Sequence, residues 1–281
     1  LRDVSVNAVR KGLAALLGDE LSGSQPFTAH PAPMNEPLQM ARSLAILSLP
    51  LEEMHDVGRH FGATLNDLAV TIVDESVHRY LRETGREFPH RLVAMCPMSL
   101  RDEGDTEGAT KASAMFVHLG EHDATVVERV RQVVTAMRTA KEEFRGMSKD
   151  AAMGYAIAVL GAAELRSAPL VDRVTSPLAN VVISNVPGPR ERMYLDGAPL
   201  VGTFPVSAIA ASIGLNATLT SYHDRMDFGF VGSGATMYDL PELARHARKS
   251  YEELKASARR HGPSPARAKG AGGRKTARRR S

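Results

Sequence analysis

The chain has one cysteine, Cys96, which excludes an intrachain disulfide, and the apolar run Leu92-Val-Ala-Met-Cys-Pro97 around it reads as a buried strand. No stretch approaches the roughly 18 to 20 consecutive apolar residues that a spanning helix needs, so any membrane contact is expected to be peripheral. Leu1 is not followed by the charged, apolar and small-residue succession of an export signal. We therefore expect a start inside a longer polypeptide and, from the cysteine usage, a reducing cytoplasm. No internal repeat recurs at a fixed period. Several common chemistries are excluded by spacing. There is no Gly-x-Ser-x-Gly elbow, no His-Glu-x-x-His, no cysteine pair for zinc and no Ser-x-x-Lys. Gly232-Ser-Gly234 lacks the following Lys-Ser/Thr of a phosphate loop. The histidines His55, His60, His78 and His118 are scattered away from metal-ligand spacing, so no metal is expected.

What is present is a globular composition. With 43% hydrophobic residues among 281, the chain can bury a sizeable core. Its net charge of +3 conceals an asymmetry: residues 259–281 carry nine Lys/Arg and no acid, leaving 26 bases against 32 acids in the body. A basic tail on a mildly acidic body does not imply a nucleic-acid-binding fold. The tail has nothing to bury and is expected to be disordered. Three readings of it stay open: a solvated tail, contact with an anionic membrane surface at about 1 kcal/mol per cation, and nucleic-acid contact. Lack of aromatics for base stacking disfavours a specific single-strand binder.

Periodicity organises the body. Asp3–Leu17 spaces Val6, Val9, Leu13, Leu16 and Leu17 as an amphipathic helix, and residues 18–41, rich in Pro, Gly and Ser, read as an interdomain linker. Within residues 42–258 a strand is expected from Arg42 to Leu49, ended by Pro50. Helices are expected over Leu51–Phe61, Thr64–Arg82, Thr125–Phe144, Ala151–Leu165 and about Leu240–Ala258, with buried strands over Arg91–Met98 and Ser113–Leu119. Mixed strands and helices without a strict βαβ repeat argue for mixed α/β or α+β layering.

Four segments carry chemical signals. Gly62-Ala-Thr-Leu-Asn-Asp-Leu-Ala69 contains Thr64-x-x-Asp67, a variant of the helix capping box. Pro97-Met-Ser-Leu-Arg101 ends a strand in an arginine, whose fork suits a carboxylate or a phosphate. It also reads as a plain solvated strand end. Asn180-Val-Val-Ile-Ser-Asn-Val-Pro-Gly-Pro189 is a strand turning at a stiff corner, where Pro187 and Pro189 fix φ and Gly188 tolerates positive φ. Leu215–Tyr222 and Asp227-Phe-Gly-Phe230 read as a hairpin turning at His223-Asp224-Arg225.

In that order these segments resemble the C-terminal part of the bacterial wax ester synthase/diacylglycerol acyltransferases, within the coenzyme A-dependent acyltransferase superfamily. The resemblance spans about Arg42–Ala258. It implies a chloramphenicol-acetyltransferase-like lobe with a mixed sheet and flanking helices, paired with an N-terminal lobe across a tunnel. It further implies transfer of an acyl group from acyl-CoA, a substrate rather than a cofactor, to diacylglycerol or a long-chain alcohol. The work would take place in the cytoplasm, peripheral to a membrane or lipid body.

By the same resemblance Asn66 and Asp67 are family motif residues, and Arg101 contacts an interface or coenzyme A. Asn185, Pro187, Gly188 and Pro189 form a corner or tunnel wall. The family's catalytic His-His-x-x-x-Asp-Gly is missing, since no two histidines are adjacent. The nearest match, His223-x-x-x-Asp227, has Tyr222 for the first histidine and Phe228 for the glycine. It offers His223 and Asp227 only as weak candidates, and the chain alone is expected to be inactive. The alternative is a noncatalytic lipid-binding or partner-interaction module.

Overall fold

A computed structural model describes residues 26–99, 112–145, 148–166, 176–209 and 213–261. The expected 1–17 helix, most of the basic tail and Arg101 lie outside the described residues. Strands β1 (Arg42–Pro50), β2 (Val93–Ser99), β3 (Ala112–His118), β4 (Val181–Val186), β7 (Leu215–Tyr222) and β8 (Arg225–Ser233) form one six-stranded sheet in the order β1-β8-β7-β4-β2-β3. A small separate ribbon pairs β5 (Tyr194–Leu195) with β6 (Ala198–Pro199). β4 runs parallel to both β7 and β2, and the outer pairs are antiparallel, which makes the sheet mixed as expected. Parallel neighbours require long crossovers. Here the chain between β2 and β4 includes β3 and two helices.

The helices are α1 (Leu51–Phe61), α2 (Leu65–Glu83), α3 (Val126–Arg145), α4 (Lys149–Arg166) and α5 (Leu240–His261), each within a few residues of its expected span. Alternation along the strands sorts two cores. Ala94, Cys96, Met115, Val117, Val181, Ile183, Phe228 and Phe230 pack with apolar residues of α1, α2, α3 and α5. On the other face Val93, Phe116 and Val182 meet Tyr155 and Val159 of α4.

Part of the expected linker is docked rather than free. Ala29 and Met34 are buried, and a 3-10 turn spans Pro33–Asn35. The cause is polar. Asn180 donates Nδ2 to the His30 carbonyl and to Asn35 Oδ1, each at 2.8 Å, and its Oδ1 accepts from the Val93 N–H. Asn35 in turn donates to the Ala179 carbonyl at 2.8 Å. Proline and glycine content foretold an extended path, and two buried amides decide where that path lies.

The helices are locked by a buried ion cluster. Arg129 on α3 is 1% exposed. It donates from Nη1 to Asp74 Oδ2 at 2.9 Å and from Nε to Glu75 Oε2 at 2.7 Å. Burial alone would lower its pKa, but Asp74 and Glu75 outweigh that and hold it above the ordinary value. Asp74 Oδ2 also accepts the Gly120 N–H at 2.9 Å. Glu75 passes the network through Arg79 to Glu253 on α5. His78, one turn along α2, is pushed by burial down to about 3 and stays neutral. Removing one partner of such a cluster strands buried charge. Arg129→Ala is therefore expected to cost about 3 to 5 kcal/mol in urea unfolding, whereas Arg59→Ala at an exposed helical pair should cost under about 1 kcal/mol.

Candidate active-site cavity

β2 and β4 run parallel, with Ala94 opposite Val181. Two residues on in each strand, Cys96 and Ile183 share a face, followed by Met98 and Asn185 toward the C-terminal ends. A cavity of about 510 Å³ opens there, lined by Asn66, Cys96, Pro97, Met98, Met115, Lys141, Phe144, Arg145, Ala152, Ile183 and Asn185. Ligands of open sheets with parallel strands collect outside the strands' carboxyl ends, and this cavity has that position.

Three of the segments singled out in the sequence converge on it. Asn66 comes from the first turn of α2, Pro97 from the strand preceding Arg101, and Asn185 from the strand preceding the Pro-Gly-Pro corner. Asn66 and Asp67 are adjacent yet separate in task. Asn66 lines the cavity, while Asp67 completes a capping box: its N–H donates to Thr64 Oγ1 at 3.2 Å and its Oδ2 accepts the Thr64 N–H at 3.0 Å. Its other oxygen pairs with Lys141 Nζ at 3.3 Å. The polar rim comprises two amides and two cations, and the remainder is chiefly apolar, including Met98, Met115, Phe144 and Ile183. Burial pushes the Cys96 thiol up to about 12, so it carries no nucleophilic thiolate at neutral pH.

His223 and Asp227 have separate partners. His223 sits in the two-residue hairpin turn at φ 49°, with Nδ1 3.2 Å from Asp224 Oδ1. Arg225, expected in the turn, is already strand. Asp227 faces away from the α1–α2–α3–α5 side: its neighbours Met226 and Phe228 fill that core, while it accepts from Ser48 Oγ and, at 2.8 Å, from the Thr203 N–H. Gly229 continues this seat, since a Cβ there would lie 1.7 Å from the Pro205 carbonyl oxygen. Asp227-Phe-Gly229 thus pins the chain around Gly202–Pro205 to the sheet.

Gly188 needs its missing side chain for a different reason from the one expected. It is not at positive φ; a Cβ would lie 2.2 Å from the Ser221 carbonyl oxygen. Its N–H donates to Ser221 Oγ at 3.2 Å, so the Pro187-Gly188-Pro189 corner is tied to the end of β7.

Sequence reasoning missed Lys141, Phe144 and Arg145. They lie at or just past the end of the expected helix Thr125–Phe144, and nothing in the periodicity marks a cavity beside it. A second concavity, about 570 Å³, is lined by Arg91, His118, Arg131, Gln132, Thr135, Ala136 and Thr139. It gathers none of the motif segments, and Arg131, Thr135 and Thr139 are exposed. The first cavity is therefore the candidate site.

The dual position of Asp67 is testable. Asp67→Asn keeps an oxygen acceptor for the cap but removes the charge facing Lys141, so unfolding should shift by about 1 kcal/mol or less. Thr64→Ala, which removes the cap side chain, should cost about 1 kcal/mol. Equal stability of both variants and the parent in urea would contradict the capping geometry.

Comparison with known proteins gives the setting. Residues 110–255 match the model of the WS/DGAT C-terminal domain, and residues 1–69 match that of the wax ester synthase/diacylglycerol acyltransferase catalytic domain. A Mycobacterium tuberculosis protein bearing the name diacylglycerol O-acyltransferase Tgs4 is 33% identical over 257 residues, 91% of this chain and 54% of its own length. The wax ester synthase/diacylglycerol acyltransferase of Marinobacter aquaeolei VT8 superposes with a TM-score of 0.71 at 25% identity, over 91% of this chain and 56% of that one. The starter condensation domain of rhizomide synthetase shares the fold alone, at 14% identity and a TM-score of 0.51, over 92% of this chain and 54% of that one. The chain spans about half the length of the relatives it matches. On the match over residues 110–255, it belongs to the wax ester synthase/diacylglycerol acyltransferase family.

Proposed function

We propose that this chain is the C-terminal part of an acyl-CoA-dependent O-acyltransferase that makes triacylglycerol or wax esters from diacylglycerol or long-chain alcohols. The observation that carries the proposal is the cavity at the carboxyl ends of β2 and β4, where Asn66, Pro97 and Asn185 from three separate segments meet. Its amides can hydrogen-bond an amide-bearing arm, and its apolar lining can exclude water from a thioester. The alternative of a noncatalytic module gains no support from relatives named as acyltransferases.

In the proposed reaction the acceptor hydroxyl loses its proton to a general base as its oxygen attacks the thioester carbon. The C–O bond forms, the C–S bond breaks, and the thiolate takes up a proton. Among the described residues no side chain at the cavity is a histidine, and Cys96 is a neutral thiol, so the base belongs to the part of the enzyme that carries the histidine motif. A covering lobe has a surface to meet. Leu44 and Ile46 on β1 are 53% and 56% exposed, and Val201 and Val206 are 76% and 70% exposed in the chain docked beside Asp227. The enzyme proposed here works in the cytoplasm at a membrane or lipid-body surface, with the basic tail contributing attraction to anionic lipid and no specific nucleic-acid partner. Among the described residues no helix is long and apolar enough to cross a membrane.

The test is an acyl-transfer assay with labelled palmitoyl-CoA and either diolein or hexadecanol. The native polypeptide purified from its own cells should carry the His-His-x-x-x-Asp-Gly motif and turn over. The 281-residue chain should show no turnover, and His223→Ala should leave the native enzyme's rate unchanged. Turnover by the 281-residue chain that disappears in His223→Ala would overturn the proposal.

A further inference from the structure

Two cations border the cavity that no sequence motif singled out. Lys141 and Arg145 stand one turn apart on the last part of α3, and both line it. Lys141 is not loose: its Nζ lies 3.3 Å from Asp67 Oδ1, and its side chain is only 34% exposed. Asp67 is itself held, its other oxygen committed to the Thr64 N–H and its side chain 6% exposed. A fixed carboxylate therefore fixes an ammonium at the edge of the cavity. Arg145 is exposed beside it, with the planar fork that suits a phosphate.

The lining thus combines three characters. Lys141 and Arg145 supply cations, Asn66 on α2 and Asn185 on β4 supply amides, and Met98, Met115, Phe144 and Ile183 supply apolar wall. An acyl-CoA has the same three characters along its length: a phosphorylated nucleotide, an arm with two amides, and a thioester with a hydrocarbon tail. Cations in the last turns of a helix also complement its dipole. That role requires no ligand and gives no preference between a thioester with phosphates and one without.

Resting on the reading that this cavity takes acyl-CoA, we propose that Lys141 and Arg145 form its phosphate-binding edge, with Asp67 as the positioning residue for Lys141. The decisive comparison is between hexanoyl-CoA and S-hexanoyl-pantetheine, which shares the amide arm and thioester but has no phosphate. Calorimetric titration of the full chain should show tighter binding of hexanoyl-CoA, with an advantage that shrinks as salt is raised. Arg145→Glu changes an exposed residue and is expected to fold as the parent does. It should weaken hexanoyl-CoA by about tenfold or more, the scale of a lost charge-assisted hydrogen bond, and leave S-hexanoyl-pantetheine unchanged. Lys141→Gln should do the same, and Lys141→Arg, which keeps a cation facing Asp67, should restore affinity. If the parent binds both thioesters and the variants weaken both equally or neither, the phosphate edge is overturned while the acyl-CoA reading stands. If the parent binds neither, the acyl-CoA reading fails and the phosphate edge with it.

Discussion

The burial of Arg129 between Asp74 and Glu75 is the constraint on which the helical layer depends. A guanidinium at 1% exposure survives only with its donors satisfied, and here those donors reach two carboxylates of α2. Through Arg79 the same cluster reaches Glu253 on α5, and through Asp74 it fixes the backbone at Gly120, between β3 and α3. The spacing of α2 and α3 is thereby set by charge geometry as well as by packing. That spacing matters because the cavity lies where the first turn of α2 and the last turns of α3 overhang the ends of β2 and β4.

Polar anchors also hold irregular chain against the sheet. Asn180 and Asn35 hold the chain before β1, while Asp227, Ser48 and the Thr203 N–H hold the chain around Gly202–Pro205. Each fixes an irregular segment whose backbone has few ladder hydrogen bonds of its own. The hydrophobic residues left exposed on β1 and around Val201–Val206 belong to a surface that a further lobe can cover.

Much of the architecture was legible in the sequence, because long apolar stripes and Pro or Gly boundaries mark elements whose existence is set locally. Leu51–Phe61 is bounded by Pro50 and Gly62, and both limits hold. Thr64 announced the start of α2 through its capping pattern, and the cap is present. α5 runs past its expected end to His261 because its charged last turn is as compatible with helix as with tail. What periodicity could not give is convergence. Asn66 and Asn185 lie far apart in sequence, and their meeting follows from the packing of α2 on β4, as that of Pro97 and Asn185 follows from the parallel pairing of β2 with β4; no local signal encodes either. Lys141 and Arg145 were invisible for a related reason: a cation near a helix end has the same signature whether it faces water or a cavity. Gly188 shows the limit of residue-type arguments. Its freedom at positive φ was the natural expectation, whereas the structure uses its lack of a Cβ against the Ser221 carbonyl.

On the proposed function, the cavity at the carboxyl ends of β2 and β4 receives the acyl-CoA. A crystal structure of the chain with a thioether analogue of hexanoyl-CoA, which cannot transfer its acyl group, tests this most directly. The expected result is the amide arm against Asn66 and Asn185, with the phosphates toward Lys141 and Arg145. An analogue bound instead along Arg91, Arg131 and Thr135, with the first cavity empty, would contradict it.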